Sequence, residues 1–256
     1  MILEAINLTK RYKGLTAVDS FCLKIEPGII RGLIGPNGAG KTTVFNLLTS
    51  LVQMTEGQIT FLGQDITGKR PDEVAKLGLS RTFQNIRLFK KLTVLENVMV
   101  AAQIHKKYGF FSTVFGLPQF LREERAIKET SEHLLEVVGL AHLRDQQAKN
   151  LPYGDQRRLE IARALAVSPK LLLLDEPAAG MNPQESIELS EMIREIRQQF
   201  NLSILLIEHD MPFVMDLCEK IQVLNYGKLI AEGTPEEIRT NPDVIKAYLG
   251  RAASHA

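Results

Sequence analysis

The stretch Gly35-Pro36-Asn37-Gly38-Ala39-Gly40-Lys41-Thr42 constrains this chain more than any other. It is a Gly, four residues, then Gly-Lys-Thr, the pattern of a phosphate-binding loop. Glycines open backbone conformations that a side chain would block, so successive N–H groups can turn inward around an anion. Lys41 can then reach the β- and γ-phosphates of a nucleotide, and the Thr42 hydroxyl can bind Mg²⁺. The flanks agree. Ile29 to Ile34 reads as a buried strand, and Thr43 to Leu48 as a helix whose N-terminus favours a phosphate.

The remaining chain supplies the frame for such a loop. At 256 residues it suits one large domain or a core with a subdomain, and a 45% hydrophobic share is enough for a proper core. A formal net charge of +1 argues against a broad electrostatic footprint for nucleic acid or anionic membrane. The two cysteines, Cys22 and Cys218, stand in apolar contexts and are expected to be buried thiols rather than a disulfide or a metal site. No basic stretch followed by an apolar one opens the chain, and no apolar run approaches the roughly 18 residues that span a bilayer. A soluble protein is expected, with any membrane contact made through a partner.

Alternating apolar positions predict strands over 2–8 and 17–25, with Lys10-Arg11-Tyr12 between them. A short helix is expected over 71–77, with Pro71 in its first turn, and an extended segment over 80–84. From about 85 to 155 the pattern turns helical, with helices over 94–103 and 120–138. The link from Tyr108 to Pro118 is rich in aromatics and glycine, and Tyr108, Phe110, Phe111 and Phe115 are expected to pack rather than to line a ligand box. The α/β pattern returns at Gln156. Leu171 to Leu174 is a wholly apolar run, as a parallel strand covered on both faces requires, and Ser203 to Ile207 is another. A helix opens at Pro183, a hairpin turns at Tyr226-Gly227, and residues 235–249 are expected to be helical.

Chemistry gathers at the strand ends. Open α/β sheets bind ligands beyond the carboxyl ends of their strands. Asp175 there can hold Mg²⁺ through water, and Glu176, one residue on, can polarise the water that attacks the γ-phosphate. Gln84, after the extended segment, could touch Mg²⁺ or that water. His209 stands where it can donate to the γ-phosphate. Leu151-Pro152-Tyr153-Gly154-Asp155 precedes a helix, and the N–H groups of Tyr153 and Gly154 would make a second anion site. Asp155 can also be read as the cap of that helix.

In this order, the phosphate loop, Gln84, the Gly154 segment, Leu171 to Glu176 and His209 resemble the ABC-type ATPases over nearly the whole chain. The resemblance implies an α/β fold with a RecA-like P-loop NTPase core (1–84 and 156–256), an N-terminal antiparallel β subdomain and an inserted α-helical subdomain (85–155). It implies that Tyr12 stacks on adenine, and that Gly35, Pro36, Asn37, Gly38, Ala39, Gly40, Lys41, Thr42 and Thr43 form the Walker A loop. Gln84 would be the Q-loop and Leu151 to Asp155 the signature. Asp175 and Glu176 would be Walker B and the catalytic acid, and His209 the switch histidine. ATP and Mg²⁺ would be the ligands. A head-to-tail pair of ATPase subunits, identical or different, would clamp ATP between one copy's Walker A loop and the other's signature, docked on two permease subunits at the cytoplasmic face of the membrane. A solute-binding protein would act on it indirectly, and nucleic acid is not expected.

Within that superfamily, Arg81 to Phe89, Asp175 to Pro183, Glu208 to Met211 and Asn241 to Gly250 look like the ATP-binding subunits of branched-chain amino acid importers. The long insertion from Tyr108 to Glu124 resembles the larger, G-type subunit. Urea or short-amide import, lipid export and non-transport ABC ATPases are the alternatives. The general signature is Leu-Ser-Gly-Gly-Gln; here Pro152 replaces Ser, Tyr153 replaces Gly and Asp155 replaces Gln, and Asn182 stands where Asp is usual. These departures predict pairing with a different ATPase subunit and two composite sites that turn over unequally.

Overall fold

The computed structural model describes residues 1–105 and 118–252. Its contacts divide the chain into one unit of residues 1–81 and 170–256 and a second of residues 82–169. The expected boundaries fell at 84/85 and 155/156, so the division leaves the whole helix after the signature with the second unit.

In the first unit, β1 (Leu3–Tyr12) and β2 (Leu15–Ile25) form an antiparallel hairpin. The strands run further than their alternation predicts. Lys10, Arg11 and Tyr12 are strand residues, because Lys13 and Gly14 both take positive φ (40° and 97°) and turn the chain in two residues. β3 (Ile30–Ile34) is buried throughout, and α1 (Lys41–Leu48) follows the glycine loop. β4 (Glu56–Phe61) and β5 (Gln64–Asp65) complete a four-stranded sheet of order β2-β1-β4-β5. α2 (Pro71–Lys76) has Pro at its start, and β6 (Leu79–Arg81) ends this part.

The second unit, among the described residues, is helical apart from an isolated bridge between Thr93 and Gln147. α3 (Val94–Ala102) opens on a reciprocal cap: Thr93 Oγ1 accepts from the Glu96 N–H, and Glu96 accepts from the Thr93 N–H. α4 (Pro118–Val137) and α5 (Tyr153–Leu165) complete it. The aromatic link, Tyr108 to Phe115, lies outside the described residues.

The chain then returns to the first unit through β7 (Leu171–Asp175), α6 (Pro183–Phe200), β8 (Ser203–Ile207), α7 (Met211–Leu217), β9 (Lys220–Asn225), β10 (Lys228–Gly233), α8 (Pro235–Thr240) and α9 (Pro242–Ala252). The tail is two helices, not the one expected over 235–249. Pro242 disfavours helix at Asn241, whose side chain instead accepts from the N–H groups of Asp243 and Val244. The departure at Asn182 has a local use: it caps α6, accepting from the Glu185 N–H at 3.0 Å while Glu185 accepts from the Asn182 N–H at 2.8 Å. Asn182→Ala is expected to cost about 1 kcal/mol in urea unfolding, the usual worth of such a cap.

The larger sheet has the order β10-β9-β3-β8-β7-β6, parallel except for the edge hairpin β9–β10. All five residues of β3, β7 and β8 are buried. This is why β7 and β8 carry the apolar runs Leu171–Leu174 and Ile204–Ile207 rather than alternating ones, while β3 carries one buried charge, Arg31, which donates to Glu232 at 2.8 Å. Leu33, Leu171, Leu173, Leu205 and Ile207 pack into one core with Val44, Phe45 and Leu48 of α1 and with Phe21 and Phe61 of the antiparallel sheet. Cys218 is buried, and burial pushes its thiol up to about 12. Cys22, expected to be buried too, is exposed, since it alternates along β2 with the buried Phe21 and Leu23.

Candidate nucleotide site

Register places the chemistry on one edge. Ile207 of β8 stands opposite Leu33 of β3 on one side and Asp175 of β7 on the other, all parallel. The loop after Ile34, Glu176 after β7 and His209 after β8 therefore leave the sheet side by side at its carboxyl edge, where open α/β sheets bind ligands.

The glycine loop is forced into shape by its neighbours. Gly35 has φ 150° and an added Cβ would lie 2.0 Å from the Leu224 carbonyl oxygen. Gly40, at φ 105°, precedes the first residue of α1, and a Cβ there would lie 2.5 Å from the Ala17 oxygen. The β9–β10 turn braces the loop from behind: the Gly227 N–H donates to Ala39 at 2.8 Å. Lys41 is buried, and its Nζ donates to the carbonyls of Gly35 at 2.6 Å and Pro36 at 3.1 Å. Asn37, Gly38 and Thr42 are exposed on the open side, with Thr43 half-buried. Tyr12, 43% exposed, ends β1, and the Lys10 ammonium stands 4.9 Å from its ring centroid. A ring with a cation at hand and an exposed surface suits stacking on a base.

Asp175 is nearly fully buried, and Arg81 donates to its Oδ2 at 2.6 Å. Arg81 also donates to Asn46 Oδ1 of α1 at 2.7 Å, tying that helix to the end of β7. Glu176 follows in the left-handed region, φ 48°, where a non-glycine residue costs roughly 1–2 kcal/mol. Its N–H donates to the Ile207 carbonyl at 2.8 Å. The strained backbone turns its side chain toward the β8 end: Glu176 Oε2 is 3.8 Å from His209 Nδ1. His209 itself is 57% exposed in its side chain, open to a ligand. The site thus brings together Gly35 to Thr43, Asp175, Glu176 and His209.

Gln84, Tyr153 and Gly154 belong to the second unit, where one buried arginine links the Gln84 backbone to the Tyr153 side chain. Arg157 donates to the carbonyls of Phe83 at 2.7 Å and Gln84 at 2.5 Å, to the Tyr153 hydroxyl at 3.2 Å and to Glu160 at 3.1 Å. Glu160 in turn accepts from the Phe83 N–H at 3.2 Å, and burial raises its pKa. Helix α5 begins at Tyr153, so Tyr153 and Gly154 offer N–H groups in its first turn. Asp155 is not the cap. Pro152 holds that position without a side-chain bond, and Asp155 lies inside the first turn, where a negative charge suits the helix dipole.

Sequence reasoning gave no role to Arg81, Glu208, Arg157 or Glu160. The available signal was a charge where neighbours are apolar: Arg157 and Glu160 interleave with Leu159 and Ile161, and Glu208 closes the run Ile204 to Ile207. Removing one member of a buried pair strands the other charge. Arg157→Ala is therefore expected to lower stability by about 3–5 kcal/mol in urea unfolding, and the double change Arg157→Met with Glu160→Leu to recover most of that loss.

A phosphate cradle at the carboxyl edge of a parallel sheet, with an acid pair and a histidine on adjoining strands, defines a P-loop nucleotide-binding protein. The chain matches the ABC transporter family over residues 18–179, and belongs to it. Residues 228–254 match a further family described as branched-chain amino acid ATP-binding cassette transporter. The chain is 49% identical to the high-affinity branched-chain amino acid transport ATP-binding protein BraF of Pseudomonas aeruginosa, over 98% of each. It is equally similar to LivG of Escherichia coli, and 37% identical to the lipopolysaccharide export system ATP-binding protein LptB of Haemophilus influenzae, over 97% of each. Among solved structures it resembles the ADP conformation of MJ1267, an ATP-binding cassette of an ABC transporter, with TM-score 0.84, 31% identity and coverage of 97% and 98%. The fold is that of an ABC ATPase cassette, and the family's activity is ATP binding and hydrolysis.

Proposed function

We propose that this chain is the ATPase subunit that energises import of branched-chain amino acids, docked on two permease subunits at the cytoplasmic face of the membrane and served by a solute-binding protein. The observation that carries the proposal is the full-length likeness to BraF and LivG, which extends into the tail at 228–254. No described helix is long and apolar enough to cross a membrane, so the path for the solute would belong to other chains.

The residues would divide the work as follows. The N–H groups of the glycine loop and Lys41 hold the phosphates, and Tyr12 supports the base. Glu176 takes or orients the proton of the attacking water, and His209 donates to the γ-phosphate. Thr42 and Asp175 are hard oxygen donors at the same sheet edge and fit Mg²⁺; the role of Gln84 toward that ion rests on the family resemblance alone. Bound Mg²⁺ would neutralise charge on the phosphates. Tyr153 and Gly154 would close on the nucleotide of a second ATPase subunit, head to tail. Catalysis on this plan is positioning and charge stabilisation, with no covalent intermediate.

The test is reconstitution with the candidate permeases in vesicles and addition of solute-loaded binding proteins. Stimulation of ATP hydrolysis by a binding protein loaded with leucine, isoleucine or valine is expected. Stimulation only by urea or a short amide, or by lipopolysaccharide in the membrane, would overturn the choice of solute.

A further inference from the structure

One charged side chain at the sheet edge has no part in the chemistry above. Glu208 follows β8 directly, with a fully buried side chain. One oxygen, Oε1, accepts from the Ala178 N–H at 2.8 Å. The other, Oε2, accepts from the N–H of His209 at 3.0 Å and that of Asp210 at 3.4 Å. An apolar residue would continue the run of β8 at no desolvation cost, whereas a buried carboxylate is tolerated only with such bonds in place. What those bonds join is the informative part. Ala178 lies two residues beyond Glu176, in the turn that holds Glu176 at φ 48°. His209 lies next to Glu208 on the other side. The contact from Oε2 to His209 Nδ1 is 3.6 Å, too long for a hydrogen bond, so the grip is on the backbone and leaves the ring available.

We propose that Glu208 is a positioning residue for hydrolysis: one oxygen of its carboxylate fixes the turn that carries Glu176, the other fixes the backbone that carries His209, and the two are thereby held as a pair. This rests on the roles given above to Glu176 and His209. The bonds of Glu208 run to Ala178, His209 and Asp210 and to no residue of the glycine loop, so the main grip on the phosphates is separate from it.

The experiment is single-turnover ATP hydrolysis by the full chain carrying Glu208→Gln. The amide keeps the shape and one acceptor, but its NH₂ faces an N–H group on the other side. The hydrolysis rate is expected to fall roughly 10- to 100-fold, the scale of a misplaced catalytic geometry, with the ATP dissociation constant unchanged. Added to Glu176→Gln, it is expected to cost much less than it does alone, since the half of the pair that acts on the water then has no base to serve. Should Glu208→Gln not fold, Glu208→Asp carries the same test, because it keeps the charge and withdraws the carboxylate by one methylene. A wild-type rate in the single variant, or a fully additive loss in the double variant, would overturn the proposal. Wild-type hydrolysis by Glu176→Gln alone would instead overturn the reading on which it rests.

Discussion

Glu176→Gln is expected to bind ATP as the parent does and to hydrolyse it at least ~100-fold more slowly, the scale of losing a positioned general base. The amide has the size and polarity of the acid but cannot take a proton from water. The site makes this a clean change. The Glu176 side chain is only 15% exposed, and the backbone that aims it is set by the bond from its N–H to Ile207 and by the turn through Ala178. None of these contacts involves the side-chain oxygen that the substitution replaces. Rate and affinity should therefore separate: hydrolysis measured in one turnover falls, and equilibrium binding of ATP holds. Parent-like turnover would remove Glu176 from the role of base.

Lys41→Ala is expected to do the reverse, raising the ATP dissociation constant roughly 100-fold, the upper range for losing hydrogen bonds from a charged group. Two effects add. The ammonium no longer faces the phosphates, and its bonds to the Gly35 and Pro36 carbonyls, which brace the loop across its mouth, are gone as well. Alanine is the best helix former, so α1 should survive the change, and a far-ultraviolet dichroism spectrum like the parent's would confirm it. Unchanged affinity would contradict the cradle.

What the sequence disclosed and what it hid follow from the range of the contacts. The glycine loop, its strand and its helix are contiguous, and each glycine reports a local backbone need. The buried strands announced themselves as apolar runs because the sheet is covered on both faces. The Tyr226-Gly227 turn was readable as a local backbone need, both residues taking positive φ, although its brace on the phosphate loop, from Gly227 to Ala39, was not. Contacts made by one polar side chain on a distant backbone leave no periodic trace. Arg81 reaches Asp175 across 94 positions, Arg157 reaches Phe83 across 74, and Glu208 reaches Ala178 across 30. Asp155 went astray for a different reason. Its residue type suits a cap, but the helix starts two residues earlier, behind Pro152, whose ring fixes φ for such a start.

The central claim is that nucleotide is held by the glycine loop of one ATPase subunit and the Leu151 to Asp155 segment of another. The most direct test labels the assembled complex with an ATP analogue that is photoreactive at its γ-phosphate. In the test complex this chain carries Lys41→Ala and its neighbouring ATPase subunit is intact. The account predicts that residues 151–155 of this chain are still labelled, because the nucleotide they touch belongs to the neighbour. Loss of that label together with Lys41 would contradict it.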